Sequence, residues 1–178
     1  MENEEYKIDF ERAESNFKKG DIDLATKEFK DILEKWPDDA RSHSKLGACF
    51  ASQNNFEEAR FYIEKAIELD SKFSESYNNL GNIFIEKRDY KKAIPLFKKA
   101  LELNPDYAAA HSNLGLAYKK VNKYNEAIRE FKKAAEIDRK APIAELKKVA
   151  KKPRNKINFL TILLIFIGLI VLWVLFKK

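Results

Sequence analysis

The chain has 178 residues, 45% of them hydrophobic and 35% charged, with a formal net charge of +6 and a single cysteine, Cys49. That length suits one compact domain with an appendage, and a lone cysteine excludes an intrachain disulfide. The positive charge does not point to nucleic acid. Eight of the 34 Lys and Arg residues lie from Lys147 onward and no acid lies beyond Glu145, so residues 1–146 carry 26 cations against 28 acids. That part lacks the surplus that phosphate binding needs.

In chain order, the acidic start Met1-Glu2-Asn3-Glu4-Glu5 has no apolar run behind it and reads as neither a secretory signal nor an Arg-rich transit peptide. Residues 6–39 then carry, in their second half, a pattern that becomes explicit from residue 40. Leu46-Gly47 recurs as Leu80-Gly81 and Leu114-Gly115, a step of 34 residues. The same step links Phe50, Phe84 and Tyr118, then Phe56, Tyr90 and Tyr124, then Ala59, Ala93 and Ala127. It continues through Ile63, Phe97 and Phe131, through Ala66, Ala100 and Ala134, and through Leu69, Leu103 and Ile137.

Within a unit the apolar spacing is helical. Leu80, Gly81 and Phe84 share one face, and Ala93, Leu96, Phe97, Ala100 and Leu103 form a second stripe. The polar break Lys87-Arg88-Asp89 separates them, so each unit is expected to be two short antiparallel helices. Asn55 with Glu58 reads as a capping box, and Asp89 as an N-cap. Pro37 and Pro105 punctuate unit ends, and Gly81 and Ala93 leave room for close helix approach. Pro95 falls inside a second helix, near enough to its start to cost one hydrogen bond.

These residues and their period resemble the tetratricopeptide repeat. Residues 40–73, 74–107 and 108–141 match well; residues 6–39 match through Ile22, Ala25, Phe29 and Pro37, but have Arg12-Ala13 for Leu-Gly and Asn16 for the aromatic. The resemblance implies an all-α fold, a right-handed superhelical solenoid of antiparallel helix pairs. It also implies a concave groove that takes a partner protein or peptide. Carried onto this sequence, the groove residues are Arg41, Lys45, Asn78, Asn79, Asn82, Asn113, Leu116 and Lys120, with Ser44, Ala48 and Ser112 beside them. Asn79 and Asn113 are expected to stack along the groove, each amide able to donate and accept. In the carboxylate-clamp subfamily the corresponding places would hold Lys, Asn, Asn, Lys and Arg. Here they hold Ser44, Ala48, Asn79, Ala109 and Asn113, which removes the cations that would pair a carboxylate.

Beyond the repeats, residues 142–152 read as a capping helix, with Pro142 at its first position and Ile143, Leu146, Val149 and Ala150 on one stripe. Residues 153–156 read as a basic linker. Ile157 to Phe176 is an uncharged run of twenty residues, long enough to span ~30 Å of hydrocarbon as a helix. A single C-terminal transmembrane helix, a C-tail anchor, is therefore expected. Lys151, Lys152, Arg154 and Lys156 outnumber Lys177 and Lys178, which places the repeats in the cytosol of a bacterium or archaeon, or on an organelle facing it. Lys147, Lys148, Lys151, Lys152, Arg154 and Lys156 form a basic cluster against the lipid bilayer.

No catalytic or metal-binding constellation is legible. His43 and His111 sit at equivalent places two units apart and read as packing residues. Cys49, between Ala48 and Phe50, reads as a buried inert thiol. There is no glycine-rich phosphate loop. The expectation is a membrane-tethered scaffold rather than an enzyme, with no cofactor, nucleic acid or small-molecule substrate. The alternative is an accessory subunit of a membrane enzyme or secretion complex, held mainly by its transmembrane helix.

Overall fold

The computed structural model describes the backbone of residues 4–151 and the side chains of residues 4–140. Lys152, Arg154, Lys156 and the apolar run 157–176 lie outside the described residues, as do the side chains of Lys147, Lys148 and Lys151. The chain divides at Arg139 into a first compact unit and a second that begins at Lys140.

Among the described residues there are eight helices and no strand: α1 (Glu4–Lys19), α2 (Ile22–Lys35), α3 (Ala40–Ser52), α4 (Phe56–Leu69), α5 (Ser74–Glu86), α6 (Tyr90–Leu103), α7 (Ala108–Lys120) and α8 (Tyr124–Lys151). Each of α1 to α6 packs on its successor. In addition α1 touches α3, α3 touches α5 and α5 touches α7, whereas α2, α4 and α6 make no such contacts with one another. A stack whose first helices meet while its second helices splay is curved toward the first helices, and these line its inner face.

The apolar stripes form the core. Phe29, Ile63 and Phe97 are fully buried, as are Ala25, Ala59, Ala93, Ala66 and Ala100. The glycines mark where two helices touch. A Cβ on Gly81 would stand 2.5 Å from the Phe97 ring, and one on Gly47 2.5 Å from Ile63 and 2.9 Å from the Ala59 carbonyl oxygen. The turns are equally periodic: Gly20, Asn54, Arg88 and Asn122, 34 residues apart, all have positive φ between 56° and 88°. A left-handed residue ends each first helix and reverses the chain.

Asp89 caps α6 as expected, its carboxylate accepting from the Lys92 N–H at 3.2 Å. Helix α6 runs unbroken through Pro95. Two local expectations are corrected. Asn55 sits at the N-cap of α4 but its side chain makes no capping bond, so the capping box does not form. The better cap is Asp39, which accepts from the Ser42 N–H at 2.7 Å and from the Tyr6 hydroxyl at 2.9 Å. Second, no helix starts at Pro142 in the described backbone; α8 continues through it to Lys151.

Candidate partner-binding groove

The inner face is built from four parallel rows of side chains, one from each first helix. Helical spacing of i, i+4, i+7 and i+11 puts Arg41, Lys45, Ala48 and Ser52 on α3, Glu75, Asn79, Asn82 and Glu86 on α5, and Ala109, Asn113, Leu116 and Lys120 on α7 in register. Of the sequence-derived residues, Arg41 and Lys120 are exposed and Lys45, Asn79, Asn82, Asn113 and Leu116 are half-buried. Asn78 is not on this surface. It is 4% exposed, turned into the junction between repeats, and Ser44 is likewise buried.

The asparagines do more than solvate the groove. Asn113 Nδ2 donates to Asn78 Oδ1 at 2.9 Å and to Asn82 Oδ1 at 2.8 Å. Asn79 Nδ2 donates to Ser44 Oγ at 3.2 Å. Asn79 and Asn113 thus each reach back to the preceding first helix rather than to one another. The simple ladder is replaced by a set of clasps that hold α3 to α5 and α5 to α7. Neutral bonds of this kind contribute about 1 kcal/mol each.

Lys45 is spoken for as well. Its ammonium lies 2.9 Å from Glu14 and 2.7 Å from Glu75, with the side chain only 12% exposed. Burial works against that charge, but Glu75 and then Glu14 outweigh it and raise its pKa. The Lys18 hydrogen bond, with Lys45 behind it, holds the Glu14 carboxyl down to about 2. Arg41 lies over the rings of Phe10 and Tyr6, at 4.3 and 6.0 Å. The two groove cations expected on α3 therefore serve the fold.

What remains open is a hollow of 490 Å³ between α1, α3 and α5, floored by Phe17, Ala48, Ala51 and Ile83 and walled by Ser52, Asn54, Glu75, Asn79, Asn82 and Glu86. It exists because α3 carries Ala48 where α5 and α7 carry Asn82 and Leu116. A second recess, 530 Å³, lies at the turn between α2 and α3, against Tyr6, Trp36 and Arg41.

The remaining sequence candidates pack as expected. Cys49 is fully buried, and burial pushes its thiol up to about 11, which keeps it protonated and inert. His43 and His111 are buried. Each donates from Nε2 to a unit-ending carbonyl, His43 to Pro37 at 2.8 Å and His111 to Pro105 at 3.0 Å. Tyr77, at the intervening position, donates its hydroxyl to the Ser71 carbonyl at 3.2 Å. His111 Nδ1 also meets Glu130 Oε2 at 2.7 Å, both side chains 6% exposed. One repeat position, 28, 62, 96 and 130, thus holds Glu, Tyr, Leu and Glu. At the first repeat, Glu28 takes Arg12 Nε at 2.7 Å and Asn16 Nδ2 at 2.8 Å. That polar network stands where the other repeats have Leu and an aromatic, beside an apolar core of Tyr6, Phe10, Ala13, Ala25 and Phe29.

Comparison with known families accords with this geometry. A TPR repeat model matches residues 81–122, and tetratricopeptide repeat models match residues 40–73, 62–94 and 108–140. No curated protein matches the chain. Among solved structures, PilF of Pseudomonas aeruginosa superposes with a TM-score of 0.67 at 24% identity, covering 75% of this chain and 61% of that one. MamA superposes with a TM-score of 0.62 at 23% identity, covering 77% and 80%. An O-GlcNAc transferase of Thermobaculum terrenum gives 0.61 at 26% identity, covering 66% of this chain but 23% of the enzyme. These likenesses establish the fold.

Proposed function

Because the chain belongs to the tetratricopeptide-repeat family, we propose that it is a non-catalytic scaffold that holds a segment of a partner protein in the groove of α1, α3, α5 and α7. The observation that carries this reading is the open hollow at Ala48, Asn79 and Asn82, a recess on an otherwise fastened inner face. Concave sites with a few convergent polar groups are where partners bind. The scaffold is tethered to a membrane by the Ile157–Phe176 run, with the repeats on the cytosolic side and the Lys147–Lys156 cluster against the lipid. The support for the tether is the uncharged run and its flanking cations. Among the described residues no helix is long and apolar enough to cross a membrane.

A photo-crosslinking residue at Asn82, inside the groove, should capture a defined protein in cells, whereas one at Phe61, exposed on α4, should not. Equal capture from both positions would remove the groove as the site. The tether is tested by alkaline carbonate extraction and protease accessibility. Release of the chain by carbonate, or digestion of the repeats only from the non-cytosolic side, would remove that part.

A further inference from the structure

We infer that the hollow between α1, α3 and α5 selects a basic side chain, a Lys or Arg whose alkyl stem lies on the apolar floor and whose charged head pairs with Glu86. This rests on the groove reading and gives its partner a chemistry. Three observations lead there. First, the hollow is lined by two carboxylates, Glu75 and Glu86, and by no cation. Second, the nearest cation along α3, Lys45, is already held by Glu14 and Glu75, so it neither offers a site to an anionic ligand nor quenches Glu86. Third, the floor of Phe17, Ala48, Ala51 and Ile83 is apolar, which suits a long stem that buries its methylenes and keeps its head in water. An acidic or carboxylate-ended segment would place its charge against Glu86 with no cation in the lining to offset it, which is disfavoured.

Geometry adds a spacing. Glu75 and Glu86 are eleven residues apart on one face of α5, about 16 Å at helical rise. One head group therefore meets Glu86 alone. A second cation could reach the Glu75 end only from about five residues away in an extended segment.

The test selects random displayed peptides on the full chain in nonionic detergent, then measures the affinity of the selected peptides. Wild type is expected to enrich sequences with a Lys or Arg beside aliphatic residues. Glu86→Gln, at an exposed position that leaves the fold intact, should weaken those peptides about 2- to 5-fold, the range of a partly exposed ion pair. It should also flatten their salt dependence. Ala48→Phe, which fills the hollow, should abolish binding, with circular dichroism checking that helicity is kept. Peptides that need an open hollow but show no basic enrichment, or that bind Glu86→Gln unchanged, would overturn this inference and leave the groove standing. Peptides indifferent to Ala48→Phe, or no selected peptide at all, would overturn the groove reading and this inference together.

Discussion

Single residues decide how the turns close. Arg88 occupies the left-handed position with φ of 56°, where the neighbouring repeats use Gly20, Asn54 and Asn122. Arginine has a Cβ that resists this conformation, and a glycine there relieves the strain. Arg88→Gly should raise stability by about 0.5–1 kcal/mol, read as a higher urea midpoint at unchanged slope; a lower midpoint would show that the arginine is held by something worth more than the strain. The glycines of the Leu-Gly pairs make a sharper comparison. Gly81 faces Phe97, which is fully buried and has nowhere to go, while Gly115 faces Phe131, 39% exposed and free to swing. Alanine also favours a helix over glycine by about 1 kcal/mol. Gly81→Ala should therefore cost about 1–3 kcal/mol, and Gly115→Ala should be near neutral. Equal melting of the two variants would contradict that assignment of strain. The Leu-Gly pairs were visible in the sequence because small residues at fixed spacing leave a pattern. The left-handed turn was less visible: Gly20, Asn54 and Asn122 are residue types that favour it, but Arg88 at the same repeat position is not.

At the scale of the helix, the groove face shows what sequence could and could not supply. The family resemblance carries Asn79, Asn82 and Asn113 onto the inner surface, and in the structure all three are half-buried on the first helices. Asn78, carried to the same surface by the resemblance, is buried at a junction instead, and no repeat pattern reveals that the clasps run between residues 35 apart, Ser44 to Asn79 and Asn78 to Asn113. Adjacent first helices are offset by one residue, a consequence of how they pack. The family resemblance makes Lys45 a groove cation; in the structure its partners come from the repeats on either side. That bridge makes a pH-dependent prediction. Glu14 is lowered from 4.5 to about 2 in the fold, first by Lys18 on its own helix and then by Lys45 across the junction. A carboxyl depressed on folding adds stability above its unfolded value and loses it as pH falls toward the folded one. Glu14→Gln should cost about 1 kcal/mol at pH 7, the worth of a partly exposed pair, and the deficit should shrink between pH 4.5 and 2. A deficit that stays constant across that window would mean that packing, not charge, holds α1 to α3.

Across the whole first unit, each repeat touches mainly its neighbours, so its stability is close to a sum of repeats and junctions. The apolar half of every junction was legible from the 34-residue period, and with it the fold. The polar half was not, because it differs at each junction. Glu14 with Lys45 joins the first repeat to the second; Lys45 with Glu75 and Asn79 with Ser44 join the second to the third; Asn113 with Asn78 and Asn82 joins the third to the fourth. Apolar faces this alike would accept one another in any order, and a folding chain could dock α7 where α5 belongs. There Asn113 would meet Ser44 and Ala48 in place of two asparagines, and Lys45 would lose Glu75 to Ala109. The polar junctions thus act as addresses, telling one interchangeable repeat which neighbour is its own. A chain with residues 74–107 and 108–141 transposed would keep nearly all its greasy contacts, yet should refold more slowly and populate a misassembled species, visible as an added slow phase in stopped-flow fluorescence.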